Sequence, residues 1–318
     1  MQYTQNQPSY KNLTTVKDNI LATLAYFDLF SYPLTAAEIY LFLREKASQQ
    51  EVNDGLVSLV HDSAVFNFSR FYTLQNDFSL IVRRHNGNIR AAALIKIAGK
   101  ISNVLIKFPY VRGIAISGSL SKNYADEYSD IDLFIITAKN RLWIARTLMH
   151  TLKKLAYLVN REDYFCMNYY IDEEALQIAE KNVYTAIEVV TLMPLQGDSA
   201  FEQFYTANQW TQKYLPNKML RISSARPVKD HFWKKTVELL FSSKMGCWLD
   251  IVLMKVTSRR WQRKTLSNQT NAKGNVMAMD VNRHYSKPDP TDFQQKILKR
   301  YQGRLSAVLR MQREAMFN

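Results

Sequence analysis

Residues 113–136 read GIAISGSLSKNYADEYSDIDLFII, and the rest of the chain is organised around them. The apolar run Ile114-Ala115-Ile116 delivers the pair Gly118-Ser119. A polar segment follows (120–129), and then Asp130-Ile131-Asp132 inside a second apolar run that ends at Ile136. In a strand, residues i and i+2 point the same way, so Asp130 and Asp132 are expected on one face. Two neighbouring carboxylates repel each other, and a chain that builds such a pair usually sets a cation between them. Glycine ahead of the serine leaves room for the backbone to approach a phosphate. The stretch therefore predicts a site for metal and phosphate. The plainer alternative is a hairpin edge with two solvated aspartates.

Neither Gly-Ser nor Asp-x-Asp is specific alone. Joined at this spacing between two strand-like runs, they are. Ile116, Gly118, Ser119, Ser129, Asp130, Ile131, Asp132 and Leu133 together resemble the signature of the nucleotidyltransferase superfamily. That group includes DNA polymerase β, the CCA-adding enzymes and the aminoglycoside nucleotidyltransferases. The resemblance implies a mixed α+β fold, a DNA polymerase β-like mixed sheet with flanking helices. It also implies in-line transfer of a nucleoside monophosphate from an NTP, ATP first among them, to a hydroxyl of an acceptor. Asp130 and Asp132 would hold Mg2+, or Mn2+ in its place. Gly118 and Ser119 would orient the β- and γ-phosphates, with Ser129 in the same nucleotide-binding set, and Lys122 would neutralise the leaving pyrophosphate. The motif does not choose the acceptor; a small molecule or a protein side chain is placed ahead of an RNA end.

Superfamily enzymes that use two metals carry a third carboxylate near the middle of the next strand. Here that strand is expected in YFCMNYYI (164–171), and its middle residue is Asn168, flanked on its face by Cys166 and Tyr170. An amide oxygen can ligate magnesium but brings no charge, so a second metal would be held less firmly. Glu188, in an apolar helix expected over 183–193, is the candidate base for the acceptor hydroxyl. Asp172, Glu162 and Asp163 are further acids at the strand ends, while Asp126 and Glu127 read as solvated loop residues. Two other functions stay open: a catalytically silent member that binds nucleotide or RNA, and a winged-helix DNA-binding regulator.

The chain has 318 residues, 47% of them hydrophobic and 22% charged, which excludes a disordered chain and allows several domains. Two cysteines, Cys166 and Cys247, make neither a disulfide framework nor a structural zinc site. No apolar run has the length of a membrane span, and the N-terminal residues lack the pattern of a signal peptide, so a cytoplasmic location is expected. The net charge of +14 is uneven: from Thr211 onward there are 22 Lys/Arg and only 7 Asp/Glu. That excess points to a polyanionic partner or, more plainly, to basic solvated helices.

Hydrophobic periodicity and capping signals divide the chain at 13–76, 77–200 and 201–318. The first part, after a polar tail (1–12), predicts helices from Thr15, from Thr35 with Glu38 as a capping box, and over 48–62, followed by a β-ribbon at 66–74. This order resembles a winged-helix module, yet its third helix carries Glu51, Asp54 and Asp62 and no Lys or Arg, a poor match to DNA phosphates. A packing or docking role is expected instead. The second part, the nucleotidyltransferase-like domain, opens with a long helix at 78–108; after the motif, a helix capped by Asn140 is expected to run to about Val159. The third part predicts a helical, basic region. Its two helices over 229–260 have Trp233, Val237, Leu240, Trp248, Ile251 and Met254 as core, Trp261 sits in a cluster of arginines, 268–290 is loop-like, and a last helix spans 293–313.

Overall fold

The computed structural model describes residues 13, 15–157, 166–218, 225–229, 231–267, 279–288 and 291–317; within them the side chains of 152–157, 168, 291, 292 and 315–317 are left aside. The polar tail (1–12), Glu162, Asp163 and, within the segment 268–290 expected as loop, residues 268–278, 289 and 290 lie outside the described residues.

The first part forms α1 (Val16–Asp28), β1 (Leu34–Thr35), α2 (Ala36–Phe42), α3 (Gln49–His61), β2 (Phe66–Phe68) and β3 (Phe71–Thr73). Each helix starts at a reciprocal cap: Thr15 with Asp18, Thr35 with Glu38, and Ser48 with Glu51. In each, the hydroxyl accepts the third amide and the acid accepts the cap amide. The three strands pair antiparallel in the order β1-β3-β2.

A long helix, α4 (Ser79–Leu105), crosses from this part to the central sheet. There follow β4 (Val111–Ile116), β5 (Asp132–Thr137), α5 (Leu142–Tyr157), β6 (Cys166–Asp172), α6 (Val183–Thr191), β7 (Met193–Gln196) and α7 (Asp198–Ala207). The C-terminal part supplies α8 (Phe232–Leu240), α9 (Lys244–Leu266), β8 (Met279–Val281), β9 (Tyr285–Pro288) and α10 (Thr291–Phe317). Among the described residues the central sheet has the order β7-β4-β5-β6-β9-β8, mixed because β5 and β6 run parallel and the other pairs antiparallel. The fold is mixed α+β, as the sequence predicts.

Strand alternation sorts the sheet's side chains onto two cores. Ile114, Ile116, Leu133 and Ile135 face α4, α5 and α9. Ala115, Phe134 and Ile136 face the other way, into a core shared by α1, α6, α7 and α10. That second core contains Ile20 and Leu24, Phe201 and Phe204, and Tyr301 and Leu305, so residues from all three expected parts bury one another.

Four local expectations are corrected. The loop-like segment 268–290 contains β8 and β9, which extend the sheet beyond β6. The helix expected to reach Met193 stops at Thr191, and Met193 opens β7. Asn140 has a φ of 56° and does not cap α5; the amides of Trp143 and Ile144 bond instead to Asp250 of α9, both at 2.9 Å. Trp233, Leu240 and Trp248, expected in the core, are exposed.

Candidate active site

The β4–β5 ladder pairs Ile116 with Leu133, and the Ser117 amide extends it by donating to the Asp132 carbonyl at 2.9 Å. The next residue, Gly118, has a φ of +67°, and a Cβ there would stand 2.8 Å from Asp132 Oδ2. Glycine is needed twice over, for the left-handed turn and for the carboxylate's approach. A short 3-10 turn, Leu120–Lys122, follows, and both Ser121 Oγ and Lys122 Nζ donate to the Gly118 carbonyl, at 2.8 and 3.0 Å.

α4 holds the loop that runs on from this turn. Tyr124 lies against Gly87, where any Cβ would meet its ring, and the Ala125 amide donates to the Gly87 carbonyl at 3.2 Å. Arg83 sits 4.8 Å over the Tyr124 ring, and Arg90 pairs with Glu127 at 2.8 Å. The first part of the chain closes in from the opposite side: Tyr32 donates to the Lys122 carbonyl at 2.9 Å, and Arg83 donates to the carbonyls of Phe30 and Ser31. Arg84 forms a fork on Glu38. Burial pushes the Glu38 carboxyl up, but the Arg84 guanidinium and the Thr35 amide outweigh it and hold the group below its usual range.

These contacts enclose a cleft of about 580 Å³ between the turn after α1 (Leu29–Tyr32), the Gly118 turn, Asp132, and Tyr184 and Glu188 of α6. A second cavity of about 330 Å³ adjoins it and shares Gly118, Asp132, Tyr184, Glu188 and Phe293. Its remaining walls are mainly apolar, with Phe134, Tyr169, Ile178, Val189, Leu192 and Phe204. The buried Lys287 also lines it and pairs with Glu180. At the junction Lys122 Nζ donates to Glu188 at 2.8 Å. Burial, with Glu188 and Asp132 adding their charge, raises the Tyr184 phenol far above its ordinary range, so it stays neutral.

Residues 99–188, from the last turns of α4 through Glu188, match the family model of the nucleotidyltransferase domain. This segment is a nucleotidyltransferase domain. Comparison with curated proteins and with solved structures returned no match. A nucleotidyltransferase domain takes a nucleotide as substrate, and among the described residues no helix is long and apolar enough to cross a membrane.

Within the nucleotidyltransferase domain the residues singled out by sequence do not all come together. Gly118, Ser119, Lys122, Asp132 and Glu188 line one cleft. Asp130 is exposed and lies two residues ahead of Asp132, where β5 begins. Ser129 uses its hydroxyl in the turn with Asp126, donating to its carboxylate at 2.7 Å and accepting its amide at 2.8 Å. The side chain of Asn168 lies outside the described residues, but its place in β6 is informative. Leu133 pairs with Met167 and Phe134 with Tyr169, so the register shifts by one residue at Asn168. The bulge puts Tyr169 on the Asp132 side and sends Tyr170 into the opposite core, so Tyr170 does not share the site face as alternation implied. Asp172 is fully buried away from the cleft, accepting from the amides of Asn140 and Glu174 and paired with His284.

Tyr32, Arg83, Tyr184, Lys287 and Phe293 line these cavities and carry no signal in the sequence alone. Only pairing over long separations brings them in. A tyrosine in an apolar helical stripe, such as Tyr184, reads as core.

Proposed function

We propose that the chain is a Mg2+-dependent nucleotidyltransferase that moves a nucleoside monophosphate from an NTP to a hydroxyl of a small acceptor. The observation that carries this reading is the pairing of the left-handed Gly118 with the Asp132 carboxylate in the wall shared by the two cavities. A glycine turn at which a carboxylate arrives fits a triphosphate whose charge is met by a cation on that carboxylate. The donor set suits the ion: magnesium takes one or two carboxylates together with substrate phosphate oxygens, and Asp132 with Asp130 offers hard oxygens for it. When bound, the ion supplies neutralisation of the triphosphate's charge.

The protein's own groups divide the remaining work. The Gly118-Ser119 turn and the Ser119 hydroxyl orient the phosphates. Lys122 exchanges its bond with Glu188 for a phosphate oxygen, meeting charge that develops on the leaving pyrophosphate. Glu188, released, takes the proton of the acceptor hydroxyl. Tyr184, within the fields of Glu188 and Asp132, stays a neutral phenol. The nucleotide occupies the larger cavity and the acceptor the smaller. The aromatic and aliphatic walls of the smaller cavity favour a compact, apolar-bodied molecule over an RNA end.

The test is label transfer from α-32P NTPs into small-molecule, protein and RNA fractions of an extract, with magnesium. Label is expected in the small-molecule fraction, falling about a thousandfold for Asp132→Asn. The Lys122–Glu188 pair favours one second reading, a silent nucleotide binder in which both side chains are spent on each other. Nucleotide binding by the wild type with no transfer from any of the four NTPs would establish that reading and remove the first.

A further inference from the structure

The expectation that failed most plainly, the burial of Trp233, Leu240 and Trp248, leads elsewhere on the molecule. Phe232, Leu239 and Leu240 of α8 are 88%, 75% and 64% exposed, and Met245 and Trp248 of α9 are 58% and 64% exposed. Residues 232, 239 and 240 recur at helical spacing, as do 245, 248, 252 and 256. Each helix thus carries an outer apolar stripe in addition to the inner one, where Phe241, Leu249, Leu253 and Met254 pack toward the sheet.

Charge on these two helices is equally one-sided. The acids over 231–267 are Glu238 and Asp250, and both turn inward. Glu238 forms a fork with Arg112 and accepts the Tyr110 amide, while Asp250 holds the start of α5. Lys235, Lys244, Lys255, Arg259, Arg260 and Arg263 face solvent. The turn between the helices is firmly held: Arg141 donates to the carbonyls of Phe241, Ser242 and Ser243.

We propose that this outer face docks on an anionic phospholipid bilayer. Cations along α9 would meet the headgroups, and Phe232, Leu239, Leu240, Met245 and Trp248 would enter the headgroup–acyl boundary, the division of labour of an interfacial amphipathic surface. Other occupants fit less well. Nucleic acid rewards aromatic faces; Phe232 and Trp248 supply two, but Leu239, Leu240 and Met245 on the same helices offer none, and the Trp261 ring lies against Lys264 at 4.9 Å. A second copy would bring cations against cations with no outward acid to pair them. The face lies on the α5 side of the sheet, opposite Asp132, so docking leaves the cleft open. This inference stands independently of nucleotidyl transfer.

The test is flotation of the full chain with vesicles of phosphatidylcholine alone or with about one-third phosphatidylglycerol, at near-physiological salt. Binding is expected with the anionic vesicles only. Arg259→Glu/Arg260→Glu/Arg263→Glu is expected to weaken it roughly a hundredfold. Leu239→Ser/Leu240→Ser should weaken it with every charge retained, and brominated acyl chains should quench tryptophan emission less in Trp248→Phe. Circular dichroism and the melting temperature establish that each variant is folded. The proposal is overturned if folded wild type ignores anionic vesicles, if either multiple variant floats like the wild type, or if the same residues instead govern RNA binding or a monomer–dimer equilibrium.

Discussion

At the scale of single residues the site rests on Gly118. With a φ of +67° and its absent Cβ 2.8 Å from Asp132 Oδ2, alanine there meets strain and a carboxylate at once. Gly118→Ala is therefore expected to cut nucleotide affinity at least about tenfold, measured by titration with a fluorescent ATP analogue, while costing about 1–3 kcal/mol of stability. Asp250 gives a second expectation. Burial pushes its carboxyl up to about 6, against the smaller pull of the Ile144 and Trp143 amides. The folded state thus binds the proton more tightly than the unfolded chain. The stabilisation is complete below pH ~4 and is lost as pH rises through ~6. Asp250→Asn keeps an oxygen for both amides. In urea titrations it should match the wild type near pH 4 and exceed it at pH 8, by up to about 3 kcal/mol for a shift of about two units. The role of Gly118 was legible because one short motif carries it. The role of Asp250 was not, since its partners at 143 and 144 are far away in sequence and nothing local marks them.

At the scale of elements, α4 sets the position of the loop that follows Gly118. A methyl group at Gly87 would overlap the Tyr124 ring, and Tyr124 in turn packs edge-on to Tyr32 at 5.8 Å. Gly87→Ala is expected to displace the loop and raise KM for the NTP several-fold, with far-UV circular dichroism unchanged because alanine favours the helix by about 1 kcal/mol. Steady-state kinetics across NTP concentrations checks this. The capping box at Thr35 and the apolar spacing from Thr15 and over 48–62 made the first helices readable, since both signals are local. β7, β8 and β9 were not readable, being short strands that exist through partners elsewhere in the chain. The bulge at Asn168 escaped for a related reason: a run such as CMNYYI alternates equally well with or without a register shift, and only Met167 and Tyr169 facing Leu133 and Phe134 decide it.

At the scale of the whole molecule, the three parts expected from the sequence share a core. Tyr301 of α10 is fully buried, with its ring 5.7 Å from Tyr26 of α1 and 4.6 Å from the Arg44 guanidinium. Arg304 pairs with Asp28 at 2.7 Å. Tyr301→Ala should cost about 3–5 kcal/mol, and urea unfolding should still show one transition, because the lost contacts belong to α1 as much as to α10. Two transitions would mean that the parts unfold separately. The basic excess after Thr211 was visible in the sequence, but its distribution was not; pairing of Glu238 and Asp250 toward the interior leaves α8 and α9 bare of outward acid. The seating of α1 on α10 also has a consequence for synthesis. A ribosome releases α1 early, yet α10 emerges hundreds of residues later, so the wall of the cleft made by Leu29–Tyr32 completes only after residues 291–317 have left the exit tunnel. In stalled nascent chains, α1 should remain open to protease at every length that still holds residues 291–317 inside the exit tunnel.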